Sequence, residues 1–254
     1  MIVILAGVLA GIGTGFAGLS AAVFISPMLT VFLDLSAYEA IGIALASDVL
    51  ASAVSAVTYA RNGNVDLRRG RILAASVVFF AIVGSLVSWL FVSLSFGNSF
   101  MTWWMIAATV CLGLNFLLRP GKENGGIRIP GKTPAAVISL LGGAYIGLVC
   151  GFQGTGGGLM MLFVLNILLG FPFKKAVGTS VLIMSVTALI GAITHFSVNG
   201  IPDLQILMLS VLATLISARA AAVIANRVGQ RTLKRLTGTL MVVSGMIMLA
   251  VELN

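Results

Sequence analysis

Residues 147–161 read GLVCGFQGTGGGLMM, inside an apolar run from about Thr133 to Gly170. One unbroken helix of that length would reach about 55 Å at 1.5 Å per residue. A bilayer's hydrocarbon core is only about 30 Å thick. Gly147, Gly151, Gly154, Gly156, Gly157 and Gly158 fall within twelve residues and mark where the run breaks. Close helix packing through small residues accounts for Gly147 and Gly151, but not for three glycines in a row. Lipid tolerates non-helical backbone only where protein or a water-filled cavity supplies hydrogen-bond partners. The break therefore predicts a protected site at membrane depth.

The surrounding chain has the composition of a polytopic membrane protein. Of its 254 residues 59% are hydrophobic and 9% charged, with a mean hydropathy of +1.13, whereas soluble domains carry about 25% charged residues. The first apolar run, 1–34, lacks a basic start and reads as retained structure, not a cleaved signal peptide. Cys111 and Cys150 both lie in apolar runs, which suggests neither a disulfide framework nor a metal site.

The net charge of +8 reports topology and not nucleic-acid binding. Fourteen of the fifteen Lys and Arg residues fall in four short places: Arg61–Arg71, Arg119–Lys132, Lys174–Lys175 and Arg227–Arg235. The fifteenth is Arg219. Connections near 35–39, 95–100 and 198–203 hold no Lys or Arg. By the positive-inside rule the four clusters are cytoplasmic.

Residues 5–58 align with 141–194 at a constant offset of 136. Leu5, Gly7, Gly11, Gly15, Phe16, Gly18, Leu29, Leu33, Ala40, Gly42, Ala56 and Thr58 each meet their own type, which indicates an internal duplication. The connection near Asp34 and Glu39 has no basic residue, while its counterpart carries Lys174 and Lys175. Equivalent loops on opposite faces are the mark of an inverted-topology repeat. Each half must then cross an odd number of times, so each Gly-rich run enters and leaves on one side.

The expectation is an all-α polytopic membrane protein of two inverted repeats, each a broken, re-entrant Gly-rich hairpin plus three transmembrane helices. The first repeat, 1–118, has hairpin 1–34 with its tip near Gly15–Ser20, then helices 40–60, 72–95 and 100–118. A cytoplasmic linker, 119–132, follows. The second repeat, 133–254, has hairpin 133–170 with its tip near Gln153–Gly158, then helices 176–197, 203–226 and 236–252. Both termini are expected outside a multi-pass cell-membrane protein. Trp89, Trp103, Trp104, Tyr59 and His195 lie near expected helix ends and read as interfacial anchors.

Nothing points to an enzyme. There is one histidine and no HExxH, GxSxG or phosphate-loop motif, and no cofactor or metal is expected. Inverted repeats with helices broken at mid-membrane are instead the architecture of secondary transporters. A helix following a break offers free N–H groups and a positive dipole end, which suit an anion. Gln153, Gly154, Thr155, Gly156, Gly157 and Gly158 are the main candidates for binding it. Gly15, Gly18 and Ser20 offer a sparser version in the first half. Thr179 and Ser180 either bond substrate or back-bond to their own helix. Asp48, an acid inside a span, has two readings: proton coupling, or a structural hydrogen bond to a neighbouring helix. Its repeat counterpart is Met184. Arg219 either snorkels to the interface or meets an anion.

These residues resemble the sulfite exporter TauE/SafE family of membrane permeases. The likeness rests on GFQGTGGGLMM (151–161) with Ala176 and Gly178-Thr179-Ser180. In the first half it rests on Gly15-Phe16-Ala17-Gly18, Pro27-Met28-Leu29 and Tyr59 with Asn62-Gly63-Asn64-Val65-Asp66. It covers essentially the whole chain. The chain departs from the pattern at 18–22, GLSAA, where the family favours a triple glycine like that at 156–158. The resemblance implies transport of small sulfur-containing anions, such as sulfite or organosulfonates, across the cell membrane. Expected partners are that anion, the lipid bilayer, a coupling proton or ion, and a second copy in a homo-oligomer. A channel on the same scaffold and a non-transporting membrane subunit are the alternatives.

Overall fold

The computed structural model describes the backbone of residues 1–90, 98–118, 135–153 and 157–252. The linker 119–132 lies outside the described residues, as do Gly154, Thr155 and Gly156 and the side chains of Gln153, Trp89, Trp103 and Trp104. Every element among the described residues is helical. In chain order they are α1 (Ile2–Ala17), α2 (Ala22–Leu33), α3 (Ala37–Arg61), α4 (Leu67–Leu90) and α5 (Asn98–Leu118). Then come α6 (Ala135–Gln153), α7 (Gly158–Phe163, running into a π-helical turn at Val164–Leu168), α8 (Phe173–Asn199), α9 (Leu204–Arg227) and α10 (Gln230–Glu252).

Five helices are long and apolar enough to cross a membrane, within α3, α4, α6, α8 and α9; α1, α2 and Gly158–Leu168 are shorter apolar helices. The chain is an all-helical, multi-pass membrane protein.

Local chemistry sets several helix starts. Ser36 accepts the Glu39 N–H at 3.2 Å, so α3 begins at Ala37. Asp66 Oδ1 accepts the Arg69 N–H at 3.1 Å at the start of α4. Asp203 Oδ1 accepts from Gln205 and Ile206 at 2.8 and 3.1 Å at the start of α9. Each bond satisfies a donor that the first helical turn leaves without a backbone partner.

α3 and α8 form the middle of the bundle. Their spans are 61% and 67% buried, against 33–39% for those in α4, α6 and α9. Around this pair, α1 packs on α9 and α6 packs on α4. Both seams run on glycine. A Cβ on Gly11 would lie 2.4 Å from the Thr214 carbonyl oxygen, and one on Gly147 would lie 2.4 Å from that of Val77. Without side chains in the way the backbones come together, and dispersion contacts replace lipid contacts. Ser76 reinforces one seam by donating to the Leu140 carbonyl at 2.8 Å. α5 pairs with α10 at the side of the bundle.

Candidate functional site

Two breaks in the helical backbone meet in the core. The first follows α1. Gly18 adopts the left-handed conformation (φ 64°), and its N–H and that of Leu19 return to the carbonyls of Thr14 (2.9 Å) and Gly13 (3.2 Å). This closes α1 as a Schellman-type end and lets α2 start four residues later. The second break precedes α7, where Gly157 is also left-handed (φ 63°) and no side chain of a described residue caps the helix. A Cβ on Gly158 would come within 1.8 Å of the Gly18 carbonyl oxygen. The two breaks therefore touch, and glycine at 158 is what permits it.

At the first break a carboxyl group is already built in. Asp48, fully buried on α3, points its carboxylate at the start of α2. Its Oδ2 accepts the Ser20 hydroxyl at 2.5 Å and its Oδ1 accepts the Ala21 N–H at 2.8 Å. The Thr14 hydroxyl lies 2.8 Å from the Leu19 carbonyl, 3.0 Å from that of Ala10 and 3.4 Å from Asp48 Oδ1. Ser52 donates to the Asp48 backbone carbonyl. A carboxyl group that accepts from a backbone N–H and a hydroxyl is an N-cap delivered from another helix.

The second break is different. Met184, fully buried on α8, stands there, and its sulfur would lie 2.8 Å from a Cβ on Gly158. A thioether is uncharged and accepts hydrogen bonds weakly. Ser180, one turn earlier, donates its hydroxyl to the Val177 carbonyl at 2.8 Å and would lie 2.9 Å from a Cβ on Gly18.

The structure thus brings together Gly18, Ser20, Asp48, Gly157, Gly158 and Ser180. It sets two other candidates apart. Gly15 faces α9, where a Cβ would meet the Ala218 carbonyl oxygen at 2.6 Å, and its own carbonyl accepts the Tyr59 hydroxyl at 3.0 Å. Thr179 accepts the Asp66 N–H at 3.0 Å and ties α8 to the start of α4. Gln153 ends α6; Gly154, Thr155 and Gly156 complete the break outside the described residues.

Tyr59 and His195 correct the sequence reading. Tyr59 is fully buried and His195 is 6% exposed, because each sits on the inward face of its helix. His195 lines a cavity of about 140 Å3 with Glu39, Gly42 and Gly200. The equivalent place around Tyr59 is filled, since a Cβ on Gly178 would lie 2.1 Å from the Asn64 carbonyl oxygen. Sequence reasoning missed the Asp48–Ser20 pair. The buried acid was visible, but its partner is 28 residues away.

Comparison with known proteins places this architecture. The family described as sulfite exporter TauE/SafE matches residues 3–248. The chain belongs to the TauE/SafE family. Among curated relatives, it is 29% identical over 202 residues to the probable membrane transporter protein YunE of Bacillus subtilis (strain 168), covering 74% of this chain and 72% of that protein. It is 25% identical over 253 residues to the probable membrane transporter protein YdhB of the same organism, covering 98% and 100%. No solved structure matches. For a TauE/SafE chain the meeting of the two breaks is the natural place to look for a binding site, because it combines buried glycine backbone with helix starts.

Proposed function

We propose that this chain is a secondary transporter that moves a small sulfur-containing anion, sulfite-like or an organosulfonate, by alternating access through the point where the two breaks meet. The observation that carries the reading is the contrast between Asp48 and Met184. The first helix start holds a carboxyl group of the chain itself; the second faces a thioether, and no side chain of a described residue caps it, which suits it to an anion from solution. Gln153 to Gly158, with Gly18, Ser20 and Ser180 around them, form the proposed binding region; Thr179, which ties α8 to the start of α4, stands outside it. Asp48 is the proposed proton-coupling residue.

The element bounds support an internal duplication, which the charge pattern of its loops makes inverted. Adding 136 to α2, α3 and α4 gives 158–169, 173–197 and 203–226, close to the bounds of α7 with its π-turn, α8 and α9. The seam of α1 on α9 corresponds to that of α6 on α4. Such an arrangement lets one half rock against the other around a fixed site. The basic ends of α3 and α9, at Arg61 and Arg227, are proposed to face the cytoplasm.

The test is flux into proteoliposomes holding the purified chain, offered sulfite, sulfate, thiosulfate, sulfoacetate and chloride, with and without a proton gradient. Saturable flux of one sulfur anion is expected. Unsaturable flux of many anions would make the protein a channel, and no flux from a folded preparation would make it a non-transporting subunit.

A further inference from the structure

A lateral groove along α9, walled on one side by Val54 of α3, opens on the outer surface of the bundle, with a volume of about 590 Å3. Val54 of α3 and Leu215, Ile216, Val223 and Ile224 of α9 line it, together with Arg219. Ile216 and Ile224 are 69% and 49% exposed, as lipid-facing side chains are. Arg219 belongs to the membrane-spanning stretch Leu204–Arg227. It lies eight residues before Arg227, about 12 Å along the helix.

No described residue bonds to the Arg219 side chain. Three acids that might have done so are committed elsewhere: Asp48, Asp66 and Asp203 each accept a backbone N–H at a helix start. Glu39 precedes Val54 by fifteen residues, about 22 Å along α3, and Asp34 lies at that same end. A guanidinium at membrane depth is costly without a partner. Among the described residues, then, no acid supplies an anion to the groove.

We propose that the groove is a binding site for an anionic phospholipid, with the phosphate on Arg219 and an acyl chain along the apolar wall. Three observations favour this occupant. The planar guanidinium matches two phosphate oxygens at once. Beside it the lining is apolar, as an acyl chain requires and a free inorganic ion does not. Arg61 and Arg227 end the two helices on the side nearest the groove, and basic helix ends concentrate anionic lipid.

The full-length chain, purified in neutral detergent, provides the test through its thermal unfolding. Added phosphatidylglycerol should raise the midpoint by a few degrees, because a ligand that binds the folded state stabilises it. Phosphatidylcholine and inorganic phosphate at the same concentration should not. Arg219→Leu should lose most of the shift and Arg219→Lys should keep part of it. Arg71→Leu, which removes an exposed charge on α4 away from the groove, should keep it. Arg219→Gln serves if the leucine variant does not fold. An undiminished shift in the neutral variants, equal shifts with both lipids, or an equal shift with phosphate alone would each overturn the site.

Discussion

The carbonyl oxygen of Gly18 rests against Gly158, so the end of α1 and the start of α7 share one point in the core. Neither partner can be enlarged cheaply. Gly18 holds a left-handed φ, and a Cβ on Gly158 would meet backbone, which cannot swing aside as a side chain could. Gly158→Ala should lower stability by about 1–3 kcal/mol, the usual range for overpacking a dense core. It should also abolish flux of the sulfur anion if that point is the binding site. Gly229→Ala, with nothing within 4 Å of its Cβ, is the matched control. Thermal unfolding and flux measured together decide it. A stable, fully active Gly158→Ala protein would remove the site from this point.

Asp48 separates structural from coupling roles. Asp48→Leu leaves the Ser20 hydroxyl and the Ala21 N–H buried without their acceptor, at about 1–3 kcal/mol for each group, so the variant should be strongly destabilised. Asp48→Asn keeps an acceptor for Ala21 but carries no charge and no exchangeable carboxyl proton. It should fold, bind the anion and lose any acceleration by a proton gradient. If Asp48→Asn proteoliposomes respond to the gradient as the parent does, Asp48 is structural alone.

The glycine seams give a graded stability series. A Cβ on Gly147 would meet the Val77 carbonyl at 2.4 Å, whereas one on Gly142 would meet only Val164 methyls at 3.5 and 3.6 Å. Gly147→Ala should cost about 1–3 kcal/mol by forcing α6 off α4. Gly142→Ala should be neutral, or stabilise by up to about 1 kcal/mol through helix propensity. Equal midpoints for the two variants would mean that the seam is looser than this packing.

Tyr59 offers a single-bond test. Tyr59→Phe keeps the ring in its buried place and removes only the hydroxyl that reaches the Gly15 carbonyl. A loss of about 1 kcal/mol is expected, the net worth of an ordinary hydrogen bond. No change in the unfolding midpoint would show that the bond does not hold α1 to α3.

The all-helical membrane class was legible because it depends on hydropathy and charge, which are sums over many residues. Family membership was legible from local glycine and GTS patterns that survive without any contact information. The apolar run alone places the start of α3 three residues late, at 40, whereas the Ser36 cap on the Glu39 N–H begins the helix at Ala37. The pairing of Asp48 with Ser20 was not legible, because hydropathy says that a buried acid needs a partner and not which one. Tyr59 and His195 were misplaced for a related reason. Position near a helix end suggests an interfacial belt, but the face of α3 and of α8 that carries these residues is packed against other helices even there. The Arg219 groove is likewise a property of two helices side by side and has no counterpart in a one-dimensional pattern.

Relative orientation of the two halves is open to chemical labelling. Ile201, before α9, is 77% exposed, and Gly229, between α9 and α10, has nothing within 4 Å of its Cβ. About 36 Å of helix separates these positions at 1.5 Å per residue over α9, enough to cross the hydrocarbon core. In a background with Cys111 and Cys150 replaced by serine and alanine, a cysteine at 201 should react with a membrane-impermeant thiol reagent added to intact cells. A cysteine at 229 should react only after the membrane is opened, if Arg227, Arg231, Lys234 and Arg235 face the cytoplasm as proposed. The corresponding pair in the first half, Gly63 before α4 and a position near residue 95 after it, should label in the reverse order along the chain. Labelling of 63 and 201 from the same side would replace the inverted repeat with a parallel one. It would also leave alternating access by rocking inverted halves without its structural basis.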